Sequence, residues 1–277
     1  MITSFTSTLD KPDDVSLDAQ LALGTVLVAL SVYAVVAHDV LTTVIVASSV
    51  VAFFWSIAAH FKSLEWSLYA ALILTSIWSI MQHIAGIPPL AWTGNINFIG
   101  YLGAIMAIML VSKRSKVWWP GIVIAVVAMV IAASVGAILC ATVAVAYRYR
   151  RNWRVVVVMA LISLCVLVVN GSFSYLSRLE VWLAALVGTS DLPYDAQHTH
   201  NVLIQSIYSL GVLPTIAVAV PASIFAWLLA RSGTAAICAL CWIAVSSSVD
   251  YLYWWPGVAA LVVMYLVWSI KVQVYHA

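Results

Sequence analysis

Charge is what this sequence has least of. Of its 277 residues, 12 are Lys or Arg and 10 are Asp or Glu, a charged share of 8% against a hydrophobic share of 65%. Soluble domains carry roughly 25% charged residues, and a mean hydropathy of +1.08 is more apolar surface than a water-soluble core absorbs. The shortage excludes a soluble enzyme, and a formal net charge of +2 marks no nucleic-acid partner. Other absences narrow the chemistry. The chain has no Gly-rich phosphate loop, no GxSxG elbow and no paired-acid motif suited to metal-bound nucleotide sugars. Cysteine is scarce: Cys140, Cys165, Cys238 and Cys241 all fall in apolar runs. Cys238 and Cys241 have CxxC spacing without a second ligand pair, so they read as small packing residues, and no disulfide is implied. Residues 1–17 lack a basic region followed by an apolar one, and read as a polar cytoplasmic tail rather than a cleaved signal.

What is present is one apolar run after another. A helix needs about 20 apolar residues to cross a bilayer, and ten runs are candidates: 19–37, 41–59, 65–83, 96–112, 117–132, 135–147, 155–170, 202–229, 234–249 and 257–270. The expected fold is all-α, a single polytopic membrane bundle over 18–277 with about ten transmembrane spans. The pair 117–132 and 135–147 is short and tightly joined, as in a partly inserted hairpin. Lys62, Lys113, Arg114, Lys116, Arg148, Arg150, Arg151, Arg154, Arg231 and Lys271 all follow even-numbered spans. By the positive-inside rule both termini are then cytoplasmic. Trp92, Trp118, Trp119 and Trp153 mark span ends as interface belts do. Tyr251, Tyr253, Trp254 and Trp255 lie beside Asp250 at an external end, where aromatic faces also suit a sugar.

One external stretch, 171–201, gathers the remaining chemistry. Leu176, Leu179, Leu183 and Leu186 recur at helical spacing, which predicts a short interfacial helix between spans seven and eight. Arg178, the one basic residue placed outside, is either a snorkelling anchor or an anion-binding group. Trp182 lies four residues on, so the two share a helix face and the indole can orient the guanidinium. His198 and His200 precede Asn201, a natural N-cap whose helix presents free amides outward. The helix dipole disfavours an imidazolium at His200, whereas a bound diphosphate would favour one. Asn201, Gln205 and Tyr208 follow at i, i+4 and i+7, a polar stripe that suits a watery cavity. Asp191, Asp195, His198 and His200 include metal-ligand types, and a composite with His38 or His83 stays open. No third His or Cys from another external loop completes a zinc-like set, so the site is read as metal-free.

In HTHNVLIQSIYSLG the chain resembles the O-antigen ligase and Wzy-type O-antigen polymerase superfamily. That signature is a His-Asn pair opening a span and a later Leu-Gly step, here His200, Asn201, Leu210 and Gly211. SRLEVW resembles the family's Gly-Arg-x-x-x-Trp element, with Arg178 and Trp182 matching. WTGNINFIG resembles its Gly-x-x-Asn-x-Asn opening of an earlier span, with Asn97 matching. Where the family has Ser-Arg-Gly-Ala, this chain reads Ser134-Val135-Gly136-Ala137, and its Arg178-to-His200 loop is shorter than usual. The resemblance implies a bacterial inner-membrane glycosyltransferase with no metal or cofactor. Its partners would be an undecaprenyl-diphosphate-linked glycan donor, a glycan or lipid acceptor, and the lipid bilayer. His200 would be the catalytic base, Arg178 would hold the leaving diphosphate, and Asn201, Gln205, Trp182, His198, Tyr208 and Asp250 would line the site. The alternative is a non-catalytic membrane transporter or binding protein for lipid-linked glycans.

Overall fold

The computed structural model describes residues 12–37, 40–93, 95–112, 119–170, 181–184, 187, 204, 207, 211–249 and 256–275. Among these residues the chain is helical, with no strand. The helices are α1 (Pro12–Ala37), α2 (Val40–Ala58), α3 (Phe61–Ile84), α4 (Ile96–Ser112), α5 (Trp119–Ile131), α6 (Val135–Arg148), α7 (Trp153–Asn170), α8 (Val212–Arg231), α9 (Thr234–Val249) and α10 (Pro256–Tyr275). They follow the apolar runs closely. The first begins earlier than the predicted span, at Pro12, a residue whose fixed φ suits a helix start. By length and composition α2, α3 and α8 are long and apolar enough to cross a membrane, and the other helices contribute shorter apolar stretches.

The outer faces are as apolar as the interior. Val51, Phe54, Trp66, Leu74 and Leu213 are exposed, Leu213 by 79%. A soluble fold rarely leaves so many large apolar side chains uncovered. What distinguishes the interior is small residues at helix crossings. A Cβ on Gly100 would lie 2.6 Å from the Ser134 Cβ, and one on Gly103 would lie 2.9 Å from the Ala125 carbonyl oxygen. These two positions let α4 meet the α5–α6 hairpin at backbone distance, the usual device where lipid leaves little hydrophobic drive between helices. The hairpin lies alongside α4 and also packs on α3 and α9. Its turn places Ala133 at φ 47°.

Helix α4 is the axis of the core: every residue from Phe98 to Leu110 is buried. Around it Tyr101, Trp242, Tyr265 and Trp268 form a chain of edge and stacked ring contacts 6.0–6.2 Å apart. Aromatic pairs at that spacing add roughly 0.5–1.5 kcal/mol each beyond area burial. Trp268 also donates its indole N–H to Glu65 at 3.3 Å, which gives that buried carboxylate a partner. Two thiols join helices: Cys140 donates to the Trp242 carbonyl at 3.5 Å and Cys238 to the Ala144 carbonyl at 3.4 Å, tying α6 to α9.

The two ends of the bundle differ in charge. Lys62, Arg148, Arg150, Arg151, Arg154, Arg231 and Lys271 lie at or beside the α2–α3, α6–α7 and α8–α9 turns and the C-terminal end of α10. Lys271 places its ammonium on three carbonyls at the end of α2, those of Ser56, Ile57 and Ala59, at 2.7, 2.8 and 3.0 Å. All three donors are used on the negative end of a helix. The opposite end, where α3 passes to α4, α5 to α6 and α9 to α10, has no basic Lys or Arg among the described residues.

Candidate functional site

At that uncharged end the best-defined feature is the loop from Ala85 to Asn95. Three polar side chains on α3, spaced at i, i+4 and i+7, fasten it. Thr75 accepts the Trp92 indole N–H at 2.7 Å, Ser79 donates to the Pro89 carbonyl at 3.2 Å, and the Gln82 carbonyl oxygen accepts the Ala91 N–H at 2.6 Å. The last bond holds Ala91 at φ 44°, a left-handed conformation that alanine adopts only under constraint. Trp92 closes the arrangement by packing on Gly257, where a Cβ would fall 2.4 Å from the indole. Ser48 of α2 donates to the Pro256 carbonyl at 3.0 Å and joins the same corner. Trp92 is therefore a half-buried structural bolt, whereas Trp119 and Trp153, at the starts of α5 and α7, are 68% and 69% exposed.

The loop ends in a cap. The Asn95 side chain accepts the Asn97 N–H at 2.9 Å, and the Phe98 N–H reaches the Asn95 carbonyl at 3.2 Å. The Asn95 side chain thus has a local task, starting α4, to which Asn97 contributes its backbone N–H. Ser134 does the same for α6, accepting the Ala137 N–H at 3.4 Å. Val135, standing where the resembled family has arginine, is the first residue of α6 and brings no charge to this end.

The predicted span 202–229 is not one continuous helix. Ile204 and Ile207 are helical, but Gly211 has φ 86° and ψ 170° and is the N-cap of α8. Its N–H closes the preceding turn on the Ile207 carbonyl at 2.9 Å, while its carbonyl accepts the Thr215 hydroxyl at 2.8 Å. Among the described residues nothing lies within 4 Å of the position a Cβ would take. The glycine is required by backbone conformation, not by crowding. Asn201, Gln205 and Tyr208 precede this break in sequence.

Of the residues singled out as a site, Trp182 is described: it is helical and half-buried, within Val181–Ala184. Helical residues 181–184 and 187 fall inside the predicted interfacial helix, with Leu183 and Val187 exposed. His200, Arg178, Asn201, Gln205, His198, Tyr208 and Asp250 lie outside the described residues. So do His38, Asp191 and Asp195, while His83 is exposed in the last turn of α3. Among the described residues no group of three or more His, Cys, Asp or Glu side chains could hold a metal ion. Sequence reasoning passed over Thr75, Ser79 and Gln82, although their helical spacing was the signal. Compared with protein-family models, curated proteins and solved structures, the chain gives no match.

Proposed function

We propose that the chain is a multi-pass inner-membrane glycosyltransferase of the O-antigen ligase or polymerase type, its termini cytoplasmic. It moves a glycan from an undecaprenyl-diphosphate donor to an acceptor hydroxyl at the periplasmic face. The observation that carries this reading is the ordered set Arg178, Trp182, His200, Asn201 and Gly211 in a chain otherwise built of apolar helices. The positive φ of Gly211 supports it by giving the Leu-Gly step a physical reason: the step separates the segment that follows His200 from α8. The gathering of described cations at one end of the bundle supports the expectation that Arg178 serves the outer face.

In the reaction the acceptor oxygen attacks the anomeric carbon as the bond from that carbon to the diphosphate oxygen breaks. The hydroxyl proton passes to the neutral imidazole of His200, and the lipid diphosphate leaves with the bonding electron pair. Arg178 stabilises the departing charge through a bidentate, charge-assisted contact, worth on the order of 3 kcal/mol per well-placed donor in a dry site. His200→Ala should abolish transfer in a glycan-ladder assay while membrane insertion is retained; normal banding would remove the catalytic role. Arg178→Lys should lose most activity, because an ammonium lacks the planar fork, and full activity would make Arg178 an anchor. One feature favours a second reading, a non-catalytic transporter or binding protein for lipid-linked glycans: Val135 leaves the start of α6 without a second phosphate-binding cation. Wild-type protein that binds the lipid-linked donor without elongating it would select that reading.

A further inference from the structure

The basic end of the bundle has a built hollow. It is about 390 Å³ in volume and is lined by Arg148, Tyr149, Arg150, Arg151, Asn152 and Thr234, within the roughly 300–1,000 Å³ typical of small-ligand sites. Two helix N-termini meet it. Asn152 directly precedes α7 and accepts the Val156 N–H on its carbonyl at 3.2 Å, and Thr234 opens α9 behind Gly233. Both ends carry partial positive charge. The turn is ordered: Asn152 donates its N–H to the Tyr149 carbonyl at 2.7 Å. Arg150 donates to the Tyr147 carbonyl at 3.1 Å, with its guanidinium 4.4 Å from the centre of the Tyr147 ring. Such a fixed guanidinium keeps further N–H groups to offer a ligand. The Nε of Arg148 is buried with no hydrogen-bond partner among the described residues.

The segment that carries this cluster supplies no carboxylate of its own. From Trp66 to Leu179 the chain has eight basic residues and no Asp or Glu. Among the described residues Arg148, Arg150, Arg151 and Arg154 make no ion pair. Topology alone requires positive charge on this side, but it requires neither a shaped cavity nor convergent helix starts. Next to the hollow, α7 presents an apolar, exposed flank with Val157, Val158 and Leu161. An acyl chain suits that flank, and a phosphate suits the hollow.

We propose that the hollow binds the phosphate of an anionic phospholipid headgroup, its acyl chains lying along α7. The site is separate from the glycan chemistry and rests on the membrane placement proposed above. The test is thermal unfolding of the full-length protein in neutral detergent at fixed ionic strength. Short-chain phosphatidylglycerol, phosphatidylcholine of the same chain length, or inorganic phosphate is added. Phosphatidylglycerol should raise the midpoint and phosphatidylcholine should not, because a ligand that binds the folded state stabilises it by mass action. The double variant R150Q/R151Q, altered at two exposed positions, should lose at least half of the rise, measured from its own midpoint without lipid. A rise given by inorganic phosphate and not by phosphatidylglycerol assigns the same hollow to a soluble phosphate. Equal rises with both lipids, no rise with any probe, or an undiminished rise in R150Q/R151Q overturns the proposal. Extraction of the wild-type protein from membranes by carbonate tests the placement separately: release would remove the bilayer reading, while the detergent result bears on the hollow alone.

Discussion

Helices α4 and α7 are both runs of apolar residues, 17 and 18 long, and hydropathy treats them alike. In the bundle they are opposites. Helix α4 is buried from Phe98 to Leu110 and packs on α3, α5, α6 and α9. Helix α7 packs mainly on α6, through a 2.7 Å bond between the Thr142 and Ser163 hydroxyls, and none of its described side chains is buried. The start of α8 resembles α7: Val212, Leu213 and Ile216 are exposed, and Thr215 is buried. The stretch carrying the candidate chemistry, 171–210, runs between these two lightly covered helices. The bundle thus has a scaffold side, centred on α4, and a lightly covered side, the kind of less stable region from which binding segments are drawn.

The largest expected effect tests that separation directly. Leu102, 1% exposed on α4, and Leu161, 55% exposed on α7, are the same residue in similar sequence surroundings. Leu102→Ala should cost about 2–5 kcal/mol, the range for a buried leucine whose cavity cannot collapse. Leu161→Ala should stay within about 0.5 kcal/mol. Midpoints of chemical or thermal unfolding in detergent measure both, and similar losses would erase the distinction between the two sides.

The contrast also explains what could be read from sequence. Helix positions were legible because each helix is an apolar run and the turns at one end of the bundle carry cations, such as Lys62, Arg148, Arg231 or Lys271. Which face or helix is buried was not legible, since lipid-facing and core-facing positions are equally apolar. The break at Gly211 was missed for a related reason. Leu210-Gly211-Val212 does not interrupt an apolar run, and hydropathy is blind to φ. Thr75, Ser79 and Gln82 gave a pattern but not a partner, because the loop they hold lies 9–17 residues away. Within the candidate site, the helical state of Trp182 is the element on which sequence and structure can be compared, and they agree.

The lightly covered side has its own sensitive point. Gly211 combines φ 86° with ψ 170°, a region that is essentially glycine-only. Gly211→Ala should cost about 1–3 kcal/mol of backbone strain, although open space surrounds the position. On the proposed glycan reading, relief of that strain by rejoining the flanking helical turns would disturb the segment that carries His200. Glycan transfer should then fall further than the unfolding midpoint. A variant losing stability alone would make the break a folding device without a role in the site.

The smallest effect concerns the pinned loop. Gln82→Ala removes the acceptor of the 2.6 Å bond from Ala91 and leaves the bonds at Thr75 and Ser79 in place. A single hydrogen bond contributes about 1 kcal/mol net, and part of that loss is offset because Ala91 is freed from its left-handed conformation. The midpoint should therefore fall by under about 1 kcal/mol. Hydrogen exchange should rise at Ala91 and remain unchanged in α4. A large drop spreading into α4 would show that the loop is part of the core's cooperative unit. The scaffold side would then extend to the outer surface, where the glycan reading places the acceptor.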